Sequence, residues 1–182
     1  SGKDVIIDSS KSPFRYLALS MIRELDMRPI HLVRDSRAVA WSMAQAHNKD
    51  IEKGVEKPIE PSSYLKTALS WLFFHAQLQT VIGAAKRSKL LVKYENFTSL
   101  TDKTLNEICR FCDLDFDPFQ RILQSKEPFK VAHLAAGNRL RMNKTLQIQH
   151  DQTWDGAMPQ KAQKQVRMLT GWLLKKYGYD VS

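Results

Sequence analysis

The chain has 182 residues, enough for one domain with a core of its own. Hydrophobic residues make up 43% and charged residues 26%, a balance that excludes a disordered or fibrous chain. The formal net charge of +9 favours anionic ligands, while two cysteines exclude a disulfide scaffold and no apolar run reaches the ~20 residues of a membrane-spanning helix.

Residues 5–8, Val-Ile-Ile-Asp, read as a first strand, and Lys11 follows it almost at once. Pro13 suits the opening turn of a helix that runs to about residue 25, with Tyr16, Leu17, Ser20, Met21 and Leu25 along its inner face. Residues 30–33 form a second apolar strand that stops at Arg34. Asp35 or Ser36 can cap a helix to about residue 47, with Ala38, Val39, Trp41 and Met43 buried. Arg34 then stands beyond the carboxyl end of a strand, where ligands collect in open α/β sheets. Ser42 lies two turns into the helix, ~10 Å along its axis. A guanidinium fork and a hydroxyl so placed can hold one phosphate; the plainer alternative is a surface ion pair and a hydroxyl bonded back into its own helix.

Residues 48–61 are polar, contain Pro58 and Pro61, and read as a loop. A long helix over 62–86 follows, with Leu65, Leu69, Leu72 and Ala76 as a buried stripe widened by Trp71, Phe73 and Phe74. Residues 90–94 form a third strand ending on Tyr94, whose phenol either meets a ligand or is an ordinary half-buried strand tyrosine. A helix beginning near Thr101 carries Leu105, Ile108 and Phe111 inward. It ends on Cys109-x-x-Cys112, which lacks the helix-start position of a redox site and a second pair to complete a zinc site, so both thiols read as small core hydrophobes. Asp117-Pro118 opens a short helix to about residue 124. Residues 127–143 form a loop in which Gly137 lets backbone amides approach an anion and Arg139 and Arg141 can cover it, or the turn touches nothing. A last helix over 159–177 turns Ala162, Val166, Leu169 and Leu173 inward and stops at Gly178. His47, His75 and His150 show no partner pattern, and His133 is a lone histidine near the Gly137 loop. The alternation of strand and helix predicts an α/β fold with a mostly parallel sheet flanked by helices.

Arg34-Asp-Ser-Arg37-Ala-Val39 with Ser42, after an apolar strand, resembles the 3′-phosphate-binding signature of sulfotransferases that use 3′-phosphoadenosine 5′-phosphosulfate (PAPS). Ile6-Ile-Asp-Ser-Ser-Lys11-Ser-Pro13 resembles the strand and loop carrying that family's active-site lysine. Val92-Lys-Tyr94-Glu-Asn-Phe97 is similar to its V-R-Y-E-D-F segment. Ala136-Gly137-Asn138-Arg139-Leu-Arg141, then Asp151 and Trp154, resembles its late G-N-x-x-R cofactor loop and D-x-x-W, and Leu173-Leu-Lys-Lys-Tyr177-Gly-Tyr179 fits the bacterial branch. The segments stand in family order across essentially the whole chain. The family's opening strand and Gly-rich loop, G-x-x-R-S-G-[ST]-[ST], do not occur.

The resemblance implies a single domain over 1–182, the C-terminal two-thirds of an N-terminally truncated sulfotransferase domain with a P-loop-kinase-like core. It implies sulfonate transfer from PAPS to a hydroxyl or amine, without a metal. Lys11 would be the catalytic cation at the leaving phosphate. Arg34, Ser42, Tyr94, Gly137, Asn138, Arg139 and Arg141 would hold the nucleotide. The acceptor would be a small molecule or carbohydrate beside the 48–61 loop, the location cytoplasmic, and nucleic acid no partner, since basic residues are not interleaved with aromatics. Alternatives stay open: an inactive nucleotide-binding fragment of the same fold, a nucleotide kinase on a related core, or a basic protein-interaction module. The kinase is disfavoured by the lack of G-x-x-x-x-G-K-[ST].

Overall fold

The computed structural model describes residues 5–9, 11–45, 61–85, 88–125, 127–130 and 145–181. Ser12 opens α1 (Pro13–Ser20), its hydroxyl accepting from the Arg15 amide while proline presets the first turn. β1 (Ile30–Val33) follows, and Asp35 caps α2 (Ser36–Ala44) by accepting from the Arg37 amide at 2.8 Å. The long α3 (Tyr64–Ala85) precedes β2 (Leu90–Lys93), which runs straight into α4 (Tyr94–Ser99). α5 (Thr101–Cys112) and α6 (Asp117–Ser125) lead to β3 (Phe129–Lys130) and β4 (Thr145–Leu146), an antiparallel pair. α7 (Thr153–Ala157) and α8 (Gln160–Lys176) complete the described elements.

β1 and β2 pair in parallel, with Ile30 opposite Leu90 and Val33 opposite Lys93. On one side of this ribbon Val33 packs with Trp71 of α3 and with Leu173, Leu174 and Tyr177 at the end of α8. A second cluster joins Ala40 of α2, Ala68 of α3, Met158, and Ala162 and Val166 of α8. Small residues at these crossings let three helix backbones approach closely. Between α2 and α8 the buried Ser36 hydroxyl lies 2.7 Å from that of Thr170. Thr170 gives its own proton to the Val166 carbonyl, so Ser36 is the donor.

The result is a mixed α/β fold, mostly helical, and its parallel sheet has two strands among the described residues rather than the broad sheet expected. Residues 5–8 are not a strand: they lie outside any ladder, with Ile6 91% and Ile7 86% exposed. An apolar run becomes a strand only where a neighbouring edge accepts its amides, and none among the described residues does. α1 stops at Ser20, short of residue 25, as Met21 and Ile22 bond back three residues and tighten the last turn. α3 buries Thr67, Ala68, Trp71, His75, Val81 and Ile82, whereas Leu65 and Leu69 stay about half exposed, at 50% and 49%. The inward stripe is rotated from the expected one, because α1, α2 and α8 all pack against the helix. Most of the 48–61 loop lies outside the described residues. Cys109 and Cys112 are free thiols, and burial pushes both up, away from the reactive thiolate. No helix among the described residues is long and apolar enough to cross a membrane.

His75 does have a partner. Its Nδ1 lies 3.1 Å from Nε2 of His31 on β1, in a buried stack bordered by Trp71 and Tyr177. Burial pulls both rings down to about 4, with Lys89 adding to the effect on His31 and His31 to that on His75. Both rings are therefore neutral when folded, and the unfolded chain binds more protons between pH 6.5 and 4. Stability present above pH 6.5 should fall as the pH drops toward 4, since protons taken up by the unfolded chain are refused by both buried rings. Urea midpoints measured across that window check this, and a flat profile overturns it.

Gly178 ends α8 with φ +77°, and an added Cβ would meet Lys93 Nζ at 3.2 Å. Gly178→Ala should cost about 1 kcal/mol or more in chemical denaturation, from left-handed strain and the displaced ammonium.

Candidate functional site

Parallel register places the site. Val33 lies opposite Lys93, so Arg34 and Tyr94 leave the two strands at the same carboxyl edge. The Arg34 guanidinium lies over the Tyr94 ring, 4.7 Å from its centroid. Tyr94 is thus not a strand residue but the first residue of α4, which turns its ring back across the edge. Among the described residues Arg34 forms no ion pair, so the ring face holds the guanidinium without neutralising it.

The backbone around Arg34 is pinned from both sides. The Trp71 indole donates to the Arg34 carbonyl at 3.2 Å, and the Asp35 amide donates to Glu95 Oε1 at 3.0 Å. The Tyr179 phenol completes the arrangement, 2.5 Å from Glu95 Oε2 and 3.1 Å from the Val33 carbonyl. Burial first, then the Glu95 bond and charge, push that phenol far up, so it stays a donor. Lys93 sits over the Tyr179 ring at 4.9 Å and donates to the Gly178 carbonyl.

Arg37 takes a different role from Arg34. It forks onto both oxygens of the buried Asp35 carboxylate, the closest contact being 2.7 Å, and donates to the Asp180 carbonyl at 3.0 Å. Its other face covers Trp154, 4.9 Å from the ring centroid. Two amides at the start of α2 are taken: that of the Asp35 cap by Glu95 and that of Arg37 by Asp35 itself. An anion at this edge would meet the Arg34 side chain there. Asp151, whose oxygen accepts from the Thr153 amide and hydroxyl, is held below the usual carboxylate range by those bonds, with Arg34 adding to the effect.

Of the residues singled out in the sequence, the structure brings Arg34 and Tyr94 together. Lys11 is exposed just ahead of the Ser12 cap, and Ser42 is exposed on α2. No hydrogen bond or ion pair joins either to Arg34 or Tyr94. Gly137, Asn138, Arg139 and Arg141 lie outside the described residues. Sequence reasoning gave no role to Glu95 or Tyr179. A Lys-Tyr-Glu run at a strand end was the available signal for Glu95; nothing local marks Tyr179, which reaches Glu95 across 84 residues of chain. A separate cleft of about 260 Å³ lies among Thr101, Ile122, Leu123, Phe129 and Ile148, and neither Arg34 nor Tyr94 lines it. Among the described residues no cluster of three metal-ligating side chains occurs.

A sequence model of the sulfotransferase family matches residues 1–118. The chain belongs to the sulfotransferase family. The match takes in Lys11, Arg34, Ser42 and Tyr94 of this sulfotransferase-family chain, and ends ahead of the 136–141 segment and Tyr179. A search of curated proteins finds no match.

Arg37→Ala should destabilise the fold by about 3 kcal/mol, since it strands a buried Asp35 carboxylate and uncovers Trp154. Guanidinium denaturation measures the loss; a change under about 1 kcal/mol would mean that Asp35 is satisfied elsewhere.

Proposed function

We propose that this chain is a PAPS-dependent sulfotransferase domain on a P-loop-kinase-like core, transferring the sulfonate to a hydroxyl or amine of a small molecule or carbohydrate. The observation that carries the reading is Arg34: a cation at the carboxyl edge of two parallel strands, held on the Tyr94 ring and in no ion pair among the described residues. Such a group fits a phosphate, which can take both arms of the fork. PAPS, when bound, supplies an activated sulfonate on a phosphate leaving group.

In this reading the 3′-phosphate rests on Arg34, with Ser42 donating its hydroxyl and Tyr94 flanking the guanidinium. Gly137, Asn138, Arg139 and Arg141 close over the nucleotide. Lys11 neutralises charge on the phosphate oxygen that departs as the acceptor attacks sulfur in line, the kind of electrostatic help that positioned cations give to phosphoryl transfer. The ring under Arg34 leaves the cation its full charge, whereas Arg37, already forked onto Asp35, is held as a structural brace.

Calorimetry with adenosine 3′,5′-bisphosphate tests the anion site. Arg34→Ala should weaken binding by about 1.5–3 kcal/mol, roughly 10- to 150-fold, and ATP should bind less tightly than the bisphosphate. Equal binding by the parent and the variant sinks the assignment. Lys11→Ala should leave that affinity in place and lower sulfate transfer by roughly 10² or more. An unchanged transfer rate removes Lys11 from the chemistry, and bisphosphate binding without transfer by the parent marks the inactive nucleotide-binding form.

A further inference from the structure

We infer that Tyr179 is a positioning residue for this site: its hydroxyl holds the Glu95 carboxylate away from Arg34 and so keeps the guanidinium available to a ligand. The inference rests on the reading of Arg34 as the nucleotide's phosphate anchor.

The geometry runs through one carboxylate. Glu95 Oε1 is committed to the Asp35 amide at 3.0 Å, the peptide group directly after Arg34. Oε2 is committed to the Tyr179 phenol at 2.5 Å. A phenol has one proton; the charged acceptor at 2.5 Å takes most of it, and the Val33 carbonyl at 3.1 Å shares what remains. Glu95 is thereby satisfied on both oxygens, and Arg34, whose following peptide it holds, forms no ion pair among the described residues. Remove the phenol's hydroxyl, and Oε2 is left half-buried without a donor. The nearest remedy is a turn toward Arg34, the residue joined to the peptide that Oε1 already holds. An Arg34–Glu95 ion pair would cancel the charge that a phosphate must meet.

The remaining contacts of the tail keep the phenol in place. Gly178 turns the chain back toward the sheet in the left-handed conformation. Lys93 then lies over the Tyr179 ring and donates to the Gly178 carbonyl, Arg37 donates to the Asp180 carbonyl, and Arg167 donates to that of Val181 at 3.4 Å. Tyr179 is therefore held from both sides along the backbone, with its hydroxyl in reach of both the Val33 carbonyl and Glu95.

The test compares Tyr179→Phe, Tyr179→Phe/Glu95→Gln and Tyr177→Phe for bisphosphate affinity, for urea midpoint and for the Arg34 Nε–H resonance in nuclear magnetic resonance. Tyr179→Phe should lower affinity roughly tenfold and move the Arg34 resonance. Adding Glu95→Gln should restore both, because an uncharged amide cannot neutralise the guanidinium. Tyr177→Phe, which loses the bond from Gln79 at 3.0 Å, should lower the midpoint and leave affinity and resonance alone. A purely structural tyrosine would make the 177 and 179 variants behave alike and would deny rescue by the double change. Either result overturns the inference, as does an Arg34 resonance unmoved by Tyr179→Phe. A parent chain that binds no bisphosphate overturns the proposed function instead, and the Arg34 resonance still decides the positioning role.

Discussion

The carboxylate of Glu95 receives the Asp35 amide on one oxygen and the Tyr179 phenol on the other. One side chain therefore ties the start of α2, the start of α4 and the segment after α8 to the same point. These partners lie 60 and 84 residues away along the chain, so each bond closes a long loop. Closure over such distances is slow and entropically costly, and it is worth making only where the bonds are strong. Charge-assisted bonds in a half-buried setting meet that condition, at roughly twice the strength of neutral ones. The parallel ribbon of β1 and β2 sets the two strand ends level, and Glu95 fixes what leaves them.

Around that point the cations are sorted by the kind of partner each has. Arg37 is neutralised by the buried Asp35 carboxylate. Lys93 is held by a carbonyl and a ring face, and Arg34 by a ring face with its backbone pinned. Carbonyl dipoles and aromatic quadrupoles orient a cation but leave its charge in place. Two side chains thus keep a positive potential at the strand ends, while a third is spent on rigidity. This sorting gives the net charge of +9 a local meaning that composition alone does not carry.

Much of this was legible in the sequence. The short, largely apolar runs at β1 and β2, a cap at Asp35 or Ser36 and the Gly178 stop were all readable, because each depends on neighbours a few residues away. Arg34 could be singled out for the same reason: it directly follows an apolar strand. Tyr94 was recognised but misplaced, since nothing in Val-Lys-Tyr-Glu tells where a strand yields to a helix. Residues 5–8 carried a strand pattern without an edge to pair with among the described residues, and a pattern specifies a strand only together with its partner. The rotated face of α3 reflects neighbours on several sides, which periodicity in one helix cannot report. His31, His75 and Tyr179 show the same limit: isolated in sequence, each acquires its role only when distant elements meet.

The ribbon also has a side that nothing among the described residues covers. Ile30 and Leu32, alternate residues of β1, turn to one face of the ribbon and stand 41% and 54% exposed. Such an aliphatic face can pair with the same face of another copy, which buries both. Mutual repulsion between copies bearing nine excess positive charges opposes such pairing, and dissolved salt weakens that repulsion over a Debye length of about 10 Å at 0.1 M. Added electrolyte should therefore favour face-to-face association of copies of this chain over their separation.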